Sequence, residues 1–104
     1  MRVLLDECVP RKLRRELPGH EVRTVVEMGW AGTKNGTLLR RTALKFDVLI
    51  TVDQGIPHQQ HIENLSLALV LIKAPSNDIN DLRPKMPRVL QILTTIQPGQ
   101  VVRC

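Results

Sequence analysis

The sequence predicts an α/β fold with a mostly parallel sheet of about five strands and helices on both faces. Short apolar segments of strand length alternate along the chain with segments whose apolar residues recur at helical spacing. Two of the apolar segments, DVLITVD and LSLALVLIK, are almost continuous, which is typical of parallel strands buried on both faces. The 104 residues suffice for one hydrophobic core, so we expect a single domain over residues 1–104.

The N-terminal part predicts a strand, a basic helix and a second strand. Residues 2–6 (RVLLD) are apolar but too few for a helix, so they predict a buried strand, which we place at the centre of the sheet. The segment PRKLRREL starts at Pro10, which a first helical turn tolerates, and stops at Pro18 and Gly19. Residues 21–26 (EVRTVV) alternate and are rich in β-branched side chains, which predicts the next strand.

The middle of the chain predicts a loop, a helix and a strand. Residues 29–36 (GWAGTKNG) are rich in glycine and predict the loop. From Gly36 to Phe46 the apolar residues recur at helical spacing, and Asn35 is placed to cap this helix. Residues 47–53 (DVLITVD) predict the strand, and the segment PHQQHIEN that follows is compatible with a short helical turn.

The C-terminal part predicts a strand, an interrupted helix and a last strand. Residues 65–73 (LSLALVLIK) predict the strand. Ser76 and Asn77 are candidate caps of the helix, which Pro84 and Pro87 interrupt before the apolar stripe of VLQILTTI. The turn QPG then leads into the last strand, QVVR, whose exposed edge is compatible with pairing in a homodimer.

The balance of charge favours a polyanionic partner. Fifteen Lys and Arg residues against ten Asp and Glu residues give a formal net charge of +5. Tyr is absent, and Trp30 and Phe46 are the only aromatic residues, so a platform for stacking bases is poorly supplied. We therefore expect a nucleic acid to be bound mainly through its phosphates.

Location and redox state follow from two further patterns. The chain starts without the long apolar segment of a secretory signal, and no window approaches the length of a membrane-spanning helix. We expect a cytoplasmic protein that does not enter the membrane. Cys8 and Cys104 have neither the spacing of a metal site nor that of a disulfide framework, so we expect free thiols.

Asp6 and Asp53 each stand at the end of a predicted strand. In a parallel sheet these strand ends share one edge, where ligands commonly bind. Two ionised carboxylates close together repel each other unless a cation lies between them, and Mg2+ or Mn2+ takes oxygen ligands together with water and substrate phosphate. This arrangement predicts a metal-dependent phosphodiesterase. Equally, an Asp after a strand is common because it forms an Asx-turn or caps the next helix.

Each of the other polar residues near these acids has a functional and a structural interpretation. Glu7 either assists Asp6 or begins the basic helix, where it favours the helix dipole. The basic residues of that helix either bind phosphates or form its solvated face. Asn77 either contacts a phosphate or a metal-bound water, or caps a helix. The basic residues are Arg11, Lys12, Arg14 and Arg15.

Two histidines and one cysteine complete the candidates. His58 and His61 stand three residues apart in PHQQH, and His58, five residues after Asp53, is the candidate for an auxiliary role. Exposed histidines of a polar turn are the alternative. Cys8 lies beside Asp6 but has no dedicated base, so we do not expect a nucleophile there.

Several segments together resemble a known family. RVLLDECVPRKL, GHEV, EMGWAG, NGTLLRRTALKFDVLITVDQGI and the SN of APSN are similar, in order and spacing, to short PIN-like proteins, which are predicted nuclease toxins of prokaryotic toxin–antitoxin pairs. The resemblance covers nearly the whole chain. It implies a three-layer α/β/α fold and a Mg2+- or Mn2+-dependent ribonuclease with Asp6 and Asp53 as metal ligands.

The chain departs from the family pattern at two places. The family commonly has D-E-N where this chain has Asp6-Glu7-Cys8, and an acid where this chain has Asn35 or its neighbours. Asn ligates a metal without contributing charge, so metal affinity is expected to fall. Glu27, before the glycine-rich loop, is a candidate replacement for that charge, or an ordinary solvated side chain.

Two functions from different classes therefore follow. The first is an endoribonuclease that hydrolyses RNA phosphodiester bonds as the toxin partner of a cognate antitoxin. Asp6, Asp53 and Glu7 are its catalytic candidates, and the basic helix holds the RNA. The second is a catalytically weak or inactive PIN-like module that binds nucleic acid or a partner protein.

Overall fold

A computed structural model describes residues 1–56 and 62–104 and shows five parallel strands in one sheet. The strands are β1 (Arg2–Leu5), β2 (Glu21–Thr24), β3 (Val48–Thr51), β4 (Ala68–Leu71) and β5 (Val101–Arg103). Their order in the sheet is β2-β1-β3-β4-β5, and every neighbouring pair is parallel. The predicted α/β class and parallel sheet are therefore confirmed. The centre of the sheet is β3, however, and β1 lies between β2 and β3.

In residues 1–56 and 62–104, three α-helices and three short 3-10 helices connect the strands. The predicted basic helix is present, but it is the 3-10 helix Arg11–Glu16, which follows Pro10 and stops before Pro18. Gly19 then adopts a φ of 84°, which other residues rarely adopt, and the chain turns into β2. The α-helices are α1 (Asn35–Lys45), α2 (Ile79–Leu82) and α3 (Met86–Leu93), and the other 3-10 helices are Ile62–Asn64 and Arg83–Lys85.

The helix caps differ from the predicted ones. Lys34 is the N-cap of α1, and Asn35 is already its first helical residue. Asp78, rather than Asn77, caps α2 by accepting a 2.8 Å hydrogen bond from the amide of Asn80. The side chain of Asn77 instead donates from Nδ2 to the carbonyl oxygen of Cys8 at 3.1 Å.

Apolar side chains form two clusters that divide the residues of every strand except β2, which contributes only Val22, to the first cluster. Leu5 of β1 and Ile50 of β3 belong to the first cluster, together with residues of the basic 3-10 helix and α3. Leu4 and Leu49 belong to the second, together with residues of α1 and the glycine-rich loop. Successive side chains of a strand point to opposite faces, so this division explains why the interior strands are apolar at every position.

The structure also bears on three further predictions: the free cysteines, the absence of a membrane-spanning helix and the turn in residues 57–64. Cys8 and Cys104 are free cysteines. In the described parts of the chain no helix is both long enough and apolar enough to span a bilayer. The predicted turn of PHQQHIEN lies partly outside the described residues, and its last three residues form the 3-10 helix Ile62–Asn64.

Candidate functional site at the carboxyl edge of the sheet

The Asp6 carboxylate is buried and held by hydrogen bonds directly after β1. Its backbone amide donates to the carbonyl oxygen of Ile50 at 2.9 Å, which continues the pairing with β3. The Thr51 hydroxyl donates to Oδ2 at 2.6 Å, and the amide of Glu7 donates to Oδ1 at 2.8 Å. Asp6 is only 8% exposed, so these bonds replace most of the water that would otherwise solvate its charge. The two oxygens are thereby fixed at the carboxyl edge of the sheet.

Asp53 is connected to Asp6 through a single hydroxyl group. Thr51 Oγ1, which donates to Asp6, also accepts a 3.0 Å hydrogen bond from the amide of Asp53. The exposed Asp53 side chain accepts a 2.9 Å bond from the amide of Gly55, which is the Asx-turn of the alternative interpretation. A carboxylate oxygen has two lone pairs, so this turn leaves Asp53 with capacity for a further ligand.

Glu7 is bonded to the glycine-rich loop. Its Oε1 atom accepts a 3.0 Å hydrogen bond from the amide of Gly32. The basic 3-10 helix begins only at Arg11, so the alternative that Glu7 starts this helix is wrong. The residue instead fixes the loop against the end of β1, and its catalytic role stays a prediction.

Glu27 is paired rather than simply solvated. Arg14 Nη2 donates to Glu27 Oε1, and the same oxygen accepts a 2.9 Å bond from the amide of Thr24. In return, the amide of Glu27 donates to the Thr24 hydroxyl at 3.1 Å. Desolvation opposes the charged form of Glu27, but the hydrogen bonds from Arg14 and Thr24 outweigh it and lower the pKa of the carboxyl group.

Two neighbouring clefts contain most of the predicted site residues. We call the first, of about 320 Å³, the acidic cleft, and the second, of about 260 Å³, the basic cleft. Arg11 and Glu27 line both, so the clefts share a wall. The acidic cleft is lined by Asp6, Glu7, Val9, Pro10, Arg11, Thr24, Val26 and Glu27. The basic cleft is lined by Arg11, Lys12, Arg14, Arg15 and Glu27.

The remaining candidates lie outside these two clefts. Neither Asp53 nor Asn35 is among the residues that line them. Asn77 lies at the carboxyl edge, as predicted, because its side chain reaches the carbonyl oxygen of Cys8, two residues after Asp6. His58 and His61 fall in residues 57–61, outside the described part of the chain.

Cys8 has the environment of an inert thiol. Its sulfur lies 3.7 Å from Asp6 Oδ2 and 3.7 Å from Thr51 Oγ1. Burial raises the pKa of the Cys8 thiol, and the negative charge of Asp6 raises it as well. Both effects disfavour the thiolate, which agrees with the expectation that Cys8 is not a nucleophile.

The donor atoms at this edge suit a hard divalent cation. Asp6 Oδ1 accepts one hydrogen bond and keeps a second lone pair that can face a ligand, whereas Oδ2 accepts from Thr51 and, weakly, from the Cys8 thiol at 3.7 Å. Within residues 1–56 and 62–104, no three His, Cys, Asp or Glu side chains form a metal-binding group. Mg2+ often needs only one or two protein carboxylates, with water and phosphate as its other ligands. The acids at this edge therefore fit a site of that open type.

Sequence reasoning missed two residues that organise the edge, Thr51 and Thr24. Thr51 joins the two acids, and the Thr two positions before Asp53 in LITVD was the signal for it. Thr24 and Glu27 form a reciprocal pair, which the spacing of T-V-V-E, that of a capping box, indicates. That pattern was overlooked because the residues after it form turns rather than a helix.

Comparisons with known proteins give no assignment of family. No family model, no curated protein and no solved structure matches the chain. The likeness to PIN-like proteins therefore rests on the motifs quoted above, and a functional conclusion must be argued from the two clefts and the residues that line them.

Proposed function

We propose that the chain is a PIN-like, metal-dependent endoribonuclease. Its reaction site consists of the acidic cleft and Asp53, which lies outside the cleft lining but is linked to Asp6 through Thr51, and the basic cleft is its RNA-binding surface. The observation that carries this proposal is the shared wall: four cationic side chains line a cleft that adjoins the one containing Asp6. A phosphodiester chain that follows the basic cleft thereby comes next to the buried carboxylate. The PIN-like assignment itself is supported by the ordered motifs of the sequence.

The basic cleft binds the RNA backbone rather than its bases. Lys and Arg side chains neutralise phosphates and release their counterions, which gives affinity without sequence preference. Trp30 is the aromatic residue of the glycine-rich loop. Its side chain is half-buried and packs edge-on against Phe46, with ring centroids 6.2 Å apart. It is thus engaged in the core, and phosphate contacts supply most of the binding energy.

Asp6 and Asp53 are the residues that hold Mg2+ or Mn2+, and Glu7 and Glu27 assist them. A bound divalent ion supplies an acidified water and stabilises charge on the phosphodiester. The contribution of the protein is to hold the Asp6 oxygens in one orientation through Thr51 and the amide of Glu7. This orientation is set before substrate arrives, so no free energy is spent on arranging the ligands during the reaction.

The test is cleavage of a single-stranded RNA by the purified chain in the presence of Mn2+. We expect cleavage by the wild type and at least about a hundredfold loss in Asp6→Asn and in Asp53→Asn, because each replaces a charged ligand by a neutral one. Arg88→Gln is the matched control, since Arg88 is an exposed residue of α3 that contacts Gln91. Cleavage that survives in both Asp variants would contradict the assignment.

The second candidate is a PIN-like module that binds nucleic acid or a partner protein without catalysis. Two observations favour it: Asn35 begins α1 where the family commonly has an acid, and Glu27 is bonded to Arg14. This module binds RNA with a steep salt dependence and gains no stability from Mn2+. Thermal unfolding with increasing Mn2+ distinguishes the two, because a metal site raises the melting temperature of the wild type but not of Asp6→Asn.

The biological setting is that of a cytoplasmic toxin with a cognate antitoxin, as the resemblance implies. Expression of the chain in a bacterial cell should slow growth, and Asp6→Asn should relieve this effect. A homodimer is a further part of the proposal, supported by the edge position of β5 (Val101–Arg103) in the sheet. Sedimentation of the purified chain tests it.

A further inference from the structure

Arg14 and Glu27 form an ion pair at the wall that the two clefts share. Arg14 lines the basic cleft, whereas Glu27 lines both clefts and Asp6 lines the acidic one. Arg14 Nη2 donates to Glu27 Oε1, so the cation of one cleft is bonded to a carboxylate of the other. Any ligand that takes over Arg14 therefore changes the charge exposed in the acidic cleft.

The hydrogen bonds of Arg14 are incomplete in this arrangement. Its Nε atom is buried and has no hydrogen-bond partner within the described part of the chain. A guanidinium group offers five N–H donors in a planar fork that matches the two free oxygens of a phosphodiester. A phosphate in the basic cleft can thus compete with Glu27 for the Nη donors of Arg14. Release from Glu27 also lets the side chain turn, so that Nε reaches an acceptor as part of a bidentate contact.

Loss of Arg14 leaves the Glu27 carboxylate without its cation. Its remaining bond, from the amide of Thr24, keeps the side chain at the shared wall. The acidic cleft is then lined by the carboxylates of Asp6, Glu7 and Glu27 and by one cationic side chain, Arg11, which is not bonded to Glu27 in the described part of the chain. An excess of carboxylates over cations in one cleft favours the entry of a divalent cation over the metal-free state.

We propose that Arg14 masks Glu27 until a nucleic-acid phosphate binds Arg14, so that nucleic acid and divalent cation bind the two clefts cooperatively. This inference rests on the proposed function, because it assumes the metal site at Asp6. The cooperativity is reciprocal: nucleic acid tightens metal binding by the same factor by which metal tightens nucleic-acid binding. Arg14 is in this sense a positioning residue, which acts on the metal through Glu27.

The test measures the affinity for Mn2+ by isothermal titration, with and without a short 2′-O-methyl RNA oligonucleotide, after subtraction of Mn2+ binding to the oligonucleotide alone. In the wild type we expect the oligonucleotide to tighten Mn2+ binding about tenfold, a common size of coupling between sites. Without the oligonucleotide, Arg14→Gln should tighten Mn2+ binding by a similar factor, because Glu27 is already unmasked.

Arg15→Gln is the matched control, because it removes the same charge from the same basic cleft at a residue with no ion pair to Glu27. Its effect on Mn2+ affinity should be clearly smaller than that of Arg14→Gln. In a Glu27→Gln background, the effect of Arg14→Gln should shrink to that of Arg15→Gln. This double-mutant cycle separates a specific coupling from general electrostatics.

The outcomes distinguish the inference from the function on which it rests. Suppose that Mn2+ binding requires Asp6, but that Arg14→Gln and Arg15→Gln change Mn2+ affinity equally and the oligonucleotide does not change it. This result overturns the masking role of Arg14 and leaves the nuclease proposal standing. Absence of any Asp6-dependent Mn2+ binding overturns both. The wild-type titrations need no variant, so they decide the question even if Arg14→Gln fails to fold.

Discussion

The hydroxyl of Thr51 donates a 2.6 Å hydrogen bond to the buried carboxylate of Asp6, across two neighbouring strands of the sheet. Thr51 is itself fully buried, and its oxygen also accepts from the amide of Asp53 at 3.0 Å. One uncharged side chain thus orients one acid and fixes the backbone of the other. The candidate site depends on Thr51 as much as on the carboxylates themselves.

Replacement of this hydroxyl tests that dependence. Thr51→Val keeps the shape of the side chain but leaves Asp6 Oδ2 and the amide of Asp53 without their partner. We expect a loss of about 1–3 kcal/mol in the free energy of unfolding, measured by urea denaturation. We also expect Mn2+ affinity to fall about 10- to 100-fold, as for other groups that orient a metal ligand.

Thr95→Val provides the control for this substitution. Thr95 is exposed near the end of α3, so its replacement by Val should change both quantities little. If Thr51→Val had the same free energy of unfolding as Thr95→Val and bound Mn2+ with the same affinity, the orienting role of the buried hydroxyl would be disproved.

The basic cleft predicts a defined dependence of RNA binding on salt. Each phosphate contact that is removed should lower the slope of log affinity against log salt concentration by about 0.7 for a single strand. We expect this decrease for Arg11→Gln and Lys12→Gln, measured by fluorescence anisotropy over a range of salt concentrations. Arg88→Gln, on α3, should keep the wild-type slope. Unchanged slopes in both cleft variants would place the RNA elsewhere on the molecule.

An ion pair at the opposite edge of the sheet predicts acid sensitivity of the fold. The guanidinium group of Arg2 donates to Asp47 at 3.2 Å and its amide at 2.8 Å, and these hydrogen bonds lower the pKa of the carboxyl group below 3.8. A carboxyl group whose pKa is lowered on folding stabilises the folded state above its unfolded pKa. That contribution should disappear as the pH falls from about 5 through the lowered pKa.

Variants of this pair make the acid effect measurable. Asp47→Asn should weaken the decrease of unfolding free energy between about pH 5 and pH 2, as determined by urea denaturation at each pH. Arg2→Gln should give an intermediate result, because it removes the guanidinium bond and keeps the amide bond to Asp47. If the unfolding free energy fell identically with pH below about 5 in the wild type and both variants, groups other than Asp47 would control the acid sensitivity.

Asn35 offers a test of the departure from the family pattern. Asn35→Asp places an acid at the first residue of α1, where the helix dipole favours negative charge by about 0.3–1 kcal/mol. We expect a higher melting temperature without metal. Under the nuclease proposal we also expect tighter Mn2+ binding. Lys34→Gln, one residue earlier, is the control for net charge, because it lowers the charge by the same one unit without adding a carboxylate. Equal Mn2+ affinities of the two variants would remove position 35 from the site.

Much of the fold was predictable because its signals are local. The apolar runs of β3 and β4 lie within single segments, and so do the prolines that bound the basic helix. Placement of Asp6 at the carboxyl edge followed from its position after a parallel strand. The sequence predicted a helix in the basic segment but not its type: the seven residues between Pro10 and Pro18 contain a 3-10 helix of six residues.

The relationships that the sequence did not reveal join distant segments. Arg14 and Glu27 are 13 residues apart, and their pairing depends on how the turn after β2 is placed against the basic helix. The Thr51–Asp6 bond spans 45 residues and depends on the order of strands in the sheet. A pattern in one segment identifies the residue types, whereas the three-dimensional arrangement decides which of them meet.

The hydrogen bond from Asn77 to the carbonyl oxygen of Cys8 links positions 69 residues apart and has a consequence for synthesis. Because β3 pairs with both β1 and β4, a growing chain lacks the last part of this edge until β4 and the loop after it have left the ribosome. A fragment that ends before residue 65 contains Asp6, Asp53 and the whole basic 3-10 helix, yet it lacks the strand that borders β3 on its other side. The candidate site is therefore completed only after Asn77, in the last third of the 104-residue chain, has been synthesised.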